Sequence, residues 1–358
     1  MGNIKVLIVD DSAVIRKFLE KVLSLDSEIE VVGTAEDPYQ AREKLVALKP
    51  DVMTLDVEMP KMDGITFLSK VMKHFPIRTI VFSSFTAQGS DSYFRAMEAG
   101  AIEVLEKPSI EVNQKLDLIA TKIIQTVKMV SKARLQPLAE SQPSAKVEKK
   151  ELKPISVSPS LHRSSKPEII AVASSTGGTE ALKVFLKNMP ADIPGTVIVQ
   201  HMPPGFTKSF ANHLNEVYPF EVKEAENGDV VTAGRVLIAP GDFHMEIRRS
   251  GLKYSIILHQ DVPLHSVRPA ADYLLKSVAK CAGSNSVGVV LTGMGKDGAE
   301  GLLEMKRNGA YTIAQDEKSC VVYGMPQAAV NIGAVDKILS LDKIGDEVLS
   351  HFKKKIAS

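Results

Sequence analysis

Between residues 171 and 182 the chain reads AVASSTGGTEAL: a short apolar run, two serines, paired glycines and the start of a helix-period segment. A serine on a tight strand-to-helix turn stands clear of the backbone, and the turn closes only if the residues two before and two after it are small. Centred on Ser175, those places hold Ala173 and Gly177; centred on Ser174, they hold Val172 and Thr176, both β-branched. Ser175 is therefore the candidate nucleophile. A serine hydroxyl needs a base, and the base needs a group to orient it. VIVQHMPPGF closes the next apolar run on Gln200 and His201, and VVLTGMGKDGAEG puts Asp297 in a glycine-rich loop after a later one. Ser175, His201 and Asp297 would project from neighbouring strand ends into one crevice. His244, His259 and His265 remain as alternative bases.

The same residues admit plainer readings. STGG at a helix N-terminus can bind an anion through its backbone amides, GMGKDG can be a turn, and a histidine after a strand can be structural. The competing function is a nucleotide-binding module. Against it, the G-x-G-x-x-G pattern is missing, and the strand after STGG lacks a closing acidic residue.

A second set of candidates lies near the N-terminus, where successive apolar runs end on Asp10 and Asp11, then Asp56, then Ser83, then Lys107 before Pro108. Ligands of open α/β sheets sit beyond the carboxyl ends of the strands. Three carboxylates converging there repel one another, which calls for a divalent cation with oxygen ligands such as magnesium. With that charge neutralised, one carboxylate can attack a phosphoryl donor while the Ser83 hydroxyl and Lys107 ammonium hold the transferred oxygens. The plainer alternative is helix capping by acids, with Ser12 as an N-cap and Asp63-Gly64 as a turn.

The elements that must position these groups follow from periodicity. In residues 1–130, short apolar runs (KVLIVD, EVVGTA, DVMTLD, TIVFSS, IEVLEK) alternate with helix-period segments such as SAVIRKFLEKVLSL. Five such β/α units give a parallel sheet with helices on both faces, the general arrangement of flavodoxin-like folds. Residues 131–166 lose the periodicity, carry Pro137, Pro143, Pro154 and Pro159, and read as a flexible linker. From Pro167 the β/α rhythm resumes in residues 167–358, implying a doubly wound, mostly parallel domain. RVLIAPGDFHMEIRRSGLKYSIILHQ is expected to insert a β-meander, and LDKIGDEVLSHFKKK to form a packing helix.

Composition narrows the classes. With 44% hydrophobic and 24% charged residues, each of two domains can bury a core. Lysine and arginine number 44 against 43 acids, so there is no basic footprint for nucleic acid or for an anionic membrane. Two cysteines fit a reducing compartment. Asp10 and Asp11 interrupt any signal-peptide core, and no apolar run is long enough to span a bilayer. A cytoplasmic protein without membrane insertion is expected.

VDDS, LDVEMPKMDG, VFSS and EKP make the first domain resemble the receiver domain of two-component response regulators. The resemblance implies that Asp56 is the phosphoacceptor, that Asp10, Asp11, Asp56 and the Glu58 carbonyl hold magnesium, and that Ser83 and Lys107 read the phosphate. Val104 departs from it, standing where receivers commonly carry an aromatic switch residue. SSTGGTEAL, VIVQHMPPGFTKSFANHLN, LIAPGDFHM and VGVVLTGMGKDGAEGL resemble the catalytic domain of the chemotaxis protein-glutamate methylesterases; Ala173-Ser174 replaces the usual glycine-alanine. This implies Ser175 as nucleophile, His201 as general base and acid, Asp297 as orienting carboxylate, and oxyanion donors among the backbone amides near Thr176 and in the Gly293–Gly295 loop around Met294. The implied substrates are glutamate γ-methyl esters, and specific glutamines, on cytoplasmic helices of chemoreceptors, with the chemotaxis histidine kinase as phosphodonor. The esterase step needs no cofactor. The linker would let the receiver cover the active site until Asp56 is phosphorylated. A DNA-binding output, the other class open to a receiver, is disfavoured by the neutral charge and the lack of a helix-turn-helix.

Overall fold

The computed structural model describes residues 2–83, 89–107, 116–135 and 167–357. The chain divides into two compact units, Met1–Ser141 and Gln142–Ser358. Most of the expected linker, residues 136–166, lies outside the described residues, as does Pro108.

The first unit alternates β1 (Ile4–Val9), α1 (Ala13–Leu23), β2 (Ile29–Ala35), α2 (Pro38–Leu48), β3 (Val52–Asp56), α3 (Gly64–His74), β4 (Arg78–Ser83), α4 (Gly89–Glu98), β5 (Glu103–Glu106) and α5 (Leu116–Lys132). The sheet has the order β2-β1-β3-β4-β5 and every pairing is parallel. With helices on both faces a central strand has no solvent side, which is why all five residues of β3 are buried, Asp56 included. Short polar side chains start the helices. Ser12 caps α1 by accepting from the Ile15 amide, Asp37 caps α2 ahead of Pro38, and Asp63 caps α3 by accepting from the Thr66 amide. Asp63 and Gly64 thus open a helix where the sequence suggested a turn. α5 continues to Lys132, and Ala133 beyond it is buried, its carbonyl accepting from Arg78 Nε.

The second unit runs β6 (Ile169–Ser174), α6 (Gly178–Leu186), β7 (Gly195–Gln200), α7 (Phe206–Val217), β8 (Glu221–Glu224), β9 (Val230–Val231), β10 (Arg235–Ile238), β11 (His244–Ser250), β12 (Lys253–His259), α8 (Ala271–Ala282), β13 (Ser286–Val290), α9 (Ala299–Arg307), β14 (Tyr311–Gln315), α10 (Met325–Asn331), β15 (Lys337–Leu339) and α11 (Leu341–Ala357). Seven strands form a parallel sheet in the order β15-β14-β13-β6-β7-β10-β8. The passage expected to insert a meander divides between two sheets. RVLI becomes β10 of the parallel sheet, whereas β11, β12 and β9 form a separate antiparallel sheet. The apolar residues of β11 and β12, among them Met245, Ile247, Tyr254 and Ile256, bury against the same core as the inward face of α8. α11 is the packing helix its pattern suggested, with Ile344, Val348 and Phe352 buried at four-residue intervals.

Candidate active site

In the second unit the strand order reverses at β6, where the chain builds outward to β7 on one side and to β13 on the other. Such a reversal leaves a crevice beyond the carboxyl ends of the strands. β6 and β7 pair with Ser174 opposite Gln200, so Ser175 and His201 are the next residues along, and the His201 amide donates to the Ser174 carbonyl at 3.1 Å. On the other side the Ser175 amide donates to the Thr292 carbonyl at 3.0 Å. Gly293 lies so close that a Cβ built on it would meet Ser175 Cβ at 2.7 Å.

The two serines differ in what their hydroxyls do. Ser174 is fully buried and donates to Gln200 Oε1 at 2.7 Å, while Ser175 is partly exposed. The Gln200 amide nitrogen donates back to the carbonyls of Ser175 at 2.9 Å and His201 at 3.2 Å. One buried amide thus fixes the backbone of both residues, a role the sequence did not reveal. Its only signal was a polar residue ending an otherwise apolar strand. Gly178 makes room for it: a Cβ there would fall 2.1 Å from Gln200 Oε1. Gly178→Ala should therefore force Gln200 aside and destabilise the second unit by about 1–3 kcal/mol, the usual range for overpacking. Chemical denaturation, with the midpoint falling and the slope unchanged, is the measurement.

His201 Nε2 and Asp297 Oδ2 are 2.8 Å apart. An ionised carboxylate can only accept, so Nε2 carries the proton and Nδ1 keeps the lone pair a base needs. Asp297 is itself held by the start of α8, Oδ2 accepting from the Ala271 amide at 2.6 Å and Oδ1 from the Asp272 amide at 3.1 Å. Burial alone would raise its carboxyl, but the hydrogen bond and charge of His201, with the two amides, hold it below the ordinary carboxylate range.

The alternative bases are placed elsewhere or otherwise engaged. His244 is fully buried, its Nδ1 accepting from the Ala270 amide at 3.1 Å and its Nε2 donating to the Val262 carbonyl at 3.3 Å, and burial pushes it below the usual histidine range. His259 sits opposite it on β12. His265 Nε2 is 3.1 Å from Asp272 Oδ2. The oxyanion candidates also narrow. The Gly293 amide is taken by the Val322 carbonyl at 3.1 Å, which removes it from the donors expected in the glycine loop. Thr176 is buried at the start of the turn, and Met294 in the loop is 37% exposed.

In the first unit the reversal lies between β1 and β3, and their ends bring Asp10, Asp11 and Asp56 together with carboxylate oxygens within 4.8 Å of one another. Asp10 and Asp56 are buried and Asp11 is exposed. Lys107 Nζ bonds Asp56 Oδ2 at 2.6 Å and lies 3.9 Å from Asp10. Burial pushes the Asp56 carboxyl up to about 6, with Asp10 adding to the rise, even though Lys107 pulls the other way. Burial likewise raises Asp10. One ammonium does not balance the buried pair, so the donor set suits a hard divalent cation. The Glu58 amide donates to Asp56 Oδ1 at 3.1 Å, Ser83 is buried at the end of β4 with its carbonyl accepting from the Lys107 amide at 2.9 Å, and Val104 is buried in β5. A cleft of 510 Å³ lined by Asp11, Glu58, Asp63 and Arg95 opens over the β3–α3 loop.

These two units define a hydrolase-type α/β domain joined to a phosphoacceptor domain. Residues 170–348 match the CheB methylesterase family, and residues 6–118 match the response regulator receiver domain. The chain belongs to the CheB methylesterase family. It is 64% identical over 356 residues to a protein-glutamate methylesterase/protein-glutamine glutaminase of Bdellovibrio bacteriovorus, covering 99% of each chain. It is 45% identical over 352 residues to a second such protein of Pseudomonas aeruginosa, covering 98% of each. The crystal structure of the Thermotoga maritima CheB methylesterase catalytic domain superposes with a TM-score of 0.51 at 41% identity, covering 52% of this chain and 98% of that one.

Proposed function

We propose that this chain is a phosphorylation-regulated protein-glutamate methylesterase and protein-glutamine glutaminase acting on chemoreceptors in sensory adaptation. The observation that carries the reading is the His201–Asp297 pair at 2.8 Å, placed at the strand end next to a partly exposed Ser175 whose buried neighbour Ser174 is tied to Gln200. Ser175 Oγ attacks the γ-carbonyl of the ester while His201 Nδ1 takes its proton, and Asp297 stabilises the imidazolium. The tetrahedral oxyanion is received by backbone amides near Thr176 and in the Met294 loop. Collapse expels methanol, protonated by His201, and leaves an acyl-serine that water hydrolyses by the same route. With a glutamine substrate the leaving group is ammonia. No group beyond these side chains and amides is required in this sequence of steps.

In the receiver, Asp10, Asp11, Asp56 and the Glu58 carbonyl would hold magnesium, which when bound supplies positive charge to the phosphoryl oxygens. Asp56 is the acceptor of a phosphoryl group from the chemotaxis histidine kinase, and Ser83 and Lys107 bind the transferred oxygens. Asp56→Asn should leave a folded enzyme with its basal activity and no response to a small phosphodonor, because an amide cannot form the acyl phosphate. Initial rates of methanol release with and without phosphodonor decide it; a retained response would remove Asp56 from this role.

The test of the whole reading is release of labelled methanol from methylated receptor membranes. Among the described residues no helix is long and apolar enough to cross a membrane; the substrate side chains in this reading lie on the cytoplasmic portions of the receptor helices. Absence of methanol release, with or without phosphodonor, would overturn it.

A further inference from the structure

Two helices start beside the His201–Asp297 pair, and each receives a carboxylate from the other's leading residues. Asp297, just before α9, accepts from the Ala271 and Asp272 amides of α8; Asp272, in the first turn of α8, accepts from the Gly301 amide of α9 at 2.6 Å. Helix N-termini carry partial positive charge, so this reciprocal capping holds both carboxylates in fixed orientations. It leaves Asp297 Oδ2 aimed at His201 and Asp272 Oδ2 aimed at His265, at 3.1 Å. The result is a row of four groups: His201, Asp297, Asp272, His265. Asp272 is fully buried, whereas the His265 side chain retains 22% of its exposure.

We propose that Asp272 and His265 form a second histidine–carboxylate pair that positions Asp297 and sets the charge felt by His201. The inference rests on the esterase reading for its consequence in catalysis, though not for its test. Asp272 touches no reacting atom and is a positioning residue. Its negative charge, close behind Asp297, favours the protonated form of His201, and His265, hydrogen-bonded to Asp272 Oδ2, offsets part of that charge from the outer end of the row. Among the charged groups around the row, Glu300 of α9 faces His265. Lys276 faces Asp272 from α8 and is itself paired with Glu300 of α9 at 3.1 Å, while His244 faces Asp297 from β11. Nothing in the residue pattern links this pair: His265 stands among the alternative bases, and Asp272 lies seven residues on, inside α8.

Two variants of the full chain separate charge from structure. In Asp272→Asn the side-chain oxygen can still accept from the Gly301 amide while the charge is gone, so the His201 titration midpoint should fall by about half a pH unit or more. In His265→Gln the imidazole bonded to Asp272 Oδ2 is lost, the Asp272 charge is less compensated, and the midpoint should rise. NMR titration of the His201 imidazole reads both shifts without any substrate, so a failure of the esterase reading leaves this test intact. The acid limb of kcat/KM against pH for methanol release should move in the same directions. A purely structural role would lower thermal stability and leave the midpoint in place. Coincidence of the His201 midpoint with that of wild type in either variant overturns the proposal; if Asp272→Asn does not fold, His265→Gln, at the partly exposed end of the row, decides alone.

Discussion

Ser175→Ala is expected to lower methanol release by about 10⁴-fold or more, since a triad without its nucleophile retains only what binding and oxyanion stabilisation supply. Ser174→Ala is expected to keep at least about a tenth of wild-type activity while losing stability, because it leaves Gln200 Oε1 buried without its donor, at a cost of about 1–3 kcal/mol. The two serines are neighbours in sequence and opposite in situation: Ser174 is fully buried and bonded at 2.7 Å, and Ser175 opens to the crevice. Initial rates and urea unfolding of both variants give the comparison. Equal loss of activity in the two, or the reverse ranking, would move the nucleophile to Ser174.

Asp297→Asn has the second largest expected effect, and the structure changes its form. Chemistry alone predicts a folded enzyme slowed by up to about 10⁴-fold, because asparagine lets His201 take the wrong tautomer. Here both carboxylate oxygens also accept from the α8 amides of Ala271 and Asp272. An asparagine has one acceptor, so whichever way its amide turns, an N–H group faces another N–H. The orphaned donor adds a stability loss of about 1–3 kcal/mol. We therefore expect slower turnover together with a lower unfolding midpoint. Turnover is measured on protein shown to be folded at the assay temperature, and near-wild-type turnover there would remove Asp297 from the triad. The negative charge on Asp297 is retained as pH falls below the ordinary carboxylate range, because its folded value is depressed by His201 and the amides. The stability it contributes is thus present above the unfolded carboxylate value and is lost only as pH falls through the depressed one.

Much of this protein was readable from its sequence. The β/α alternation fixed two parallel sheets with helices on both faces, because apolar runs bounded by helix-period segments have no other way to bury both strand faces. The ends of those runs supplied the candidate site positions, because a parallel sheet collects the residues after its strands along one edge. The choice of Ser175 over Ser174 followed from the size of the residues two places away. What the tertiary structure alone decided concerns partners far apart in the chain. Gln200 ties Ser174 to the backbone of Ser175 and His201, the Gly293 amide is consumed by Val322, and Asp297 and Asp272 cap each other's helices. The division of the expected meander between two sheets is of the same kind. Periodicity reports which face of an element is apolar, but a polar atom's partner depends on which helix start or strand end arrives beside it, and that is set only when the whole sheet order is assembled.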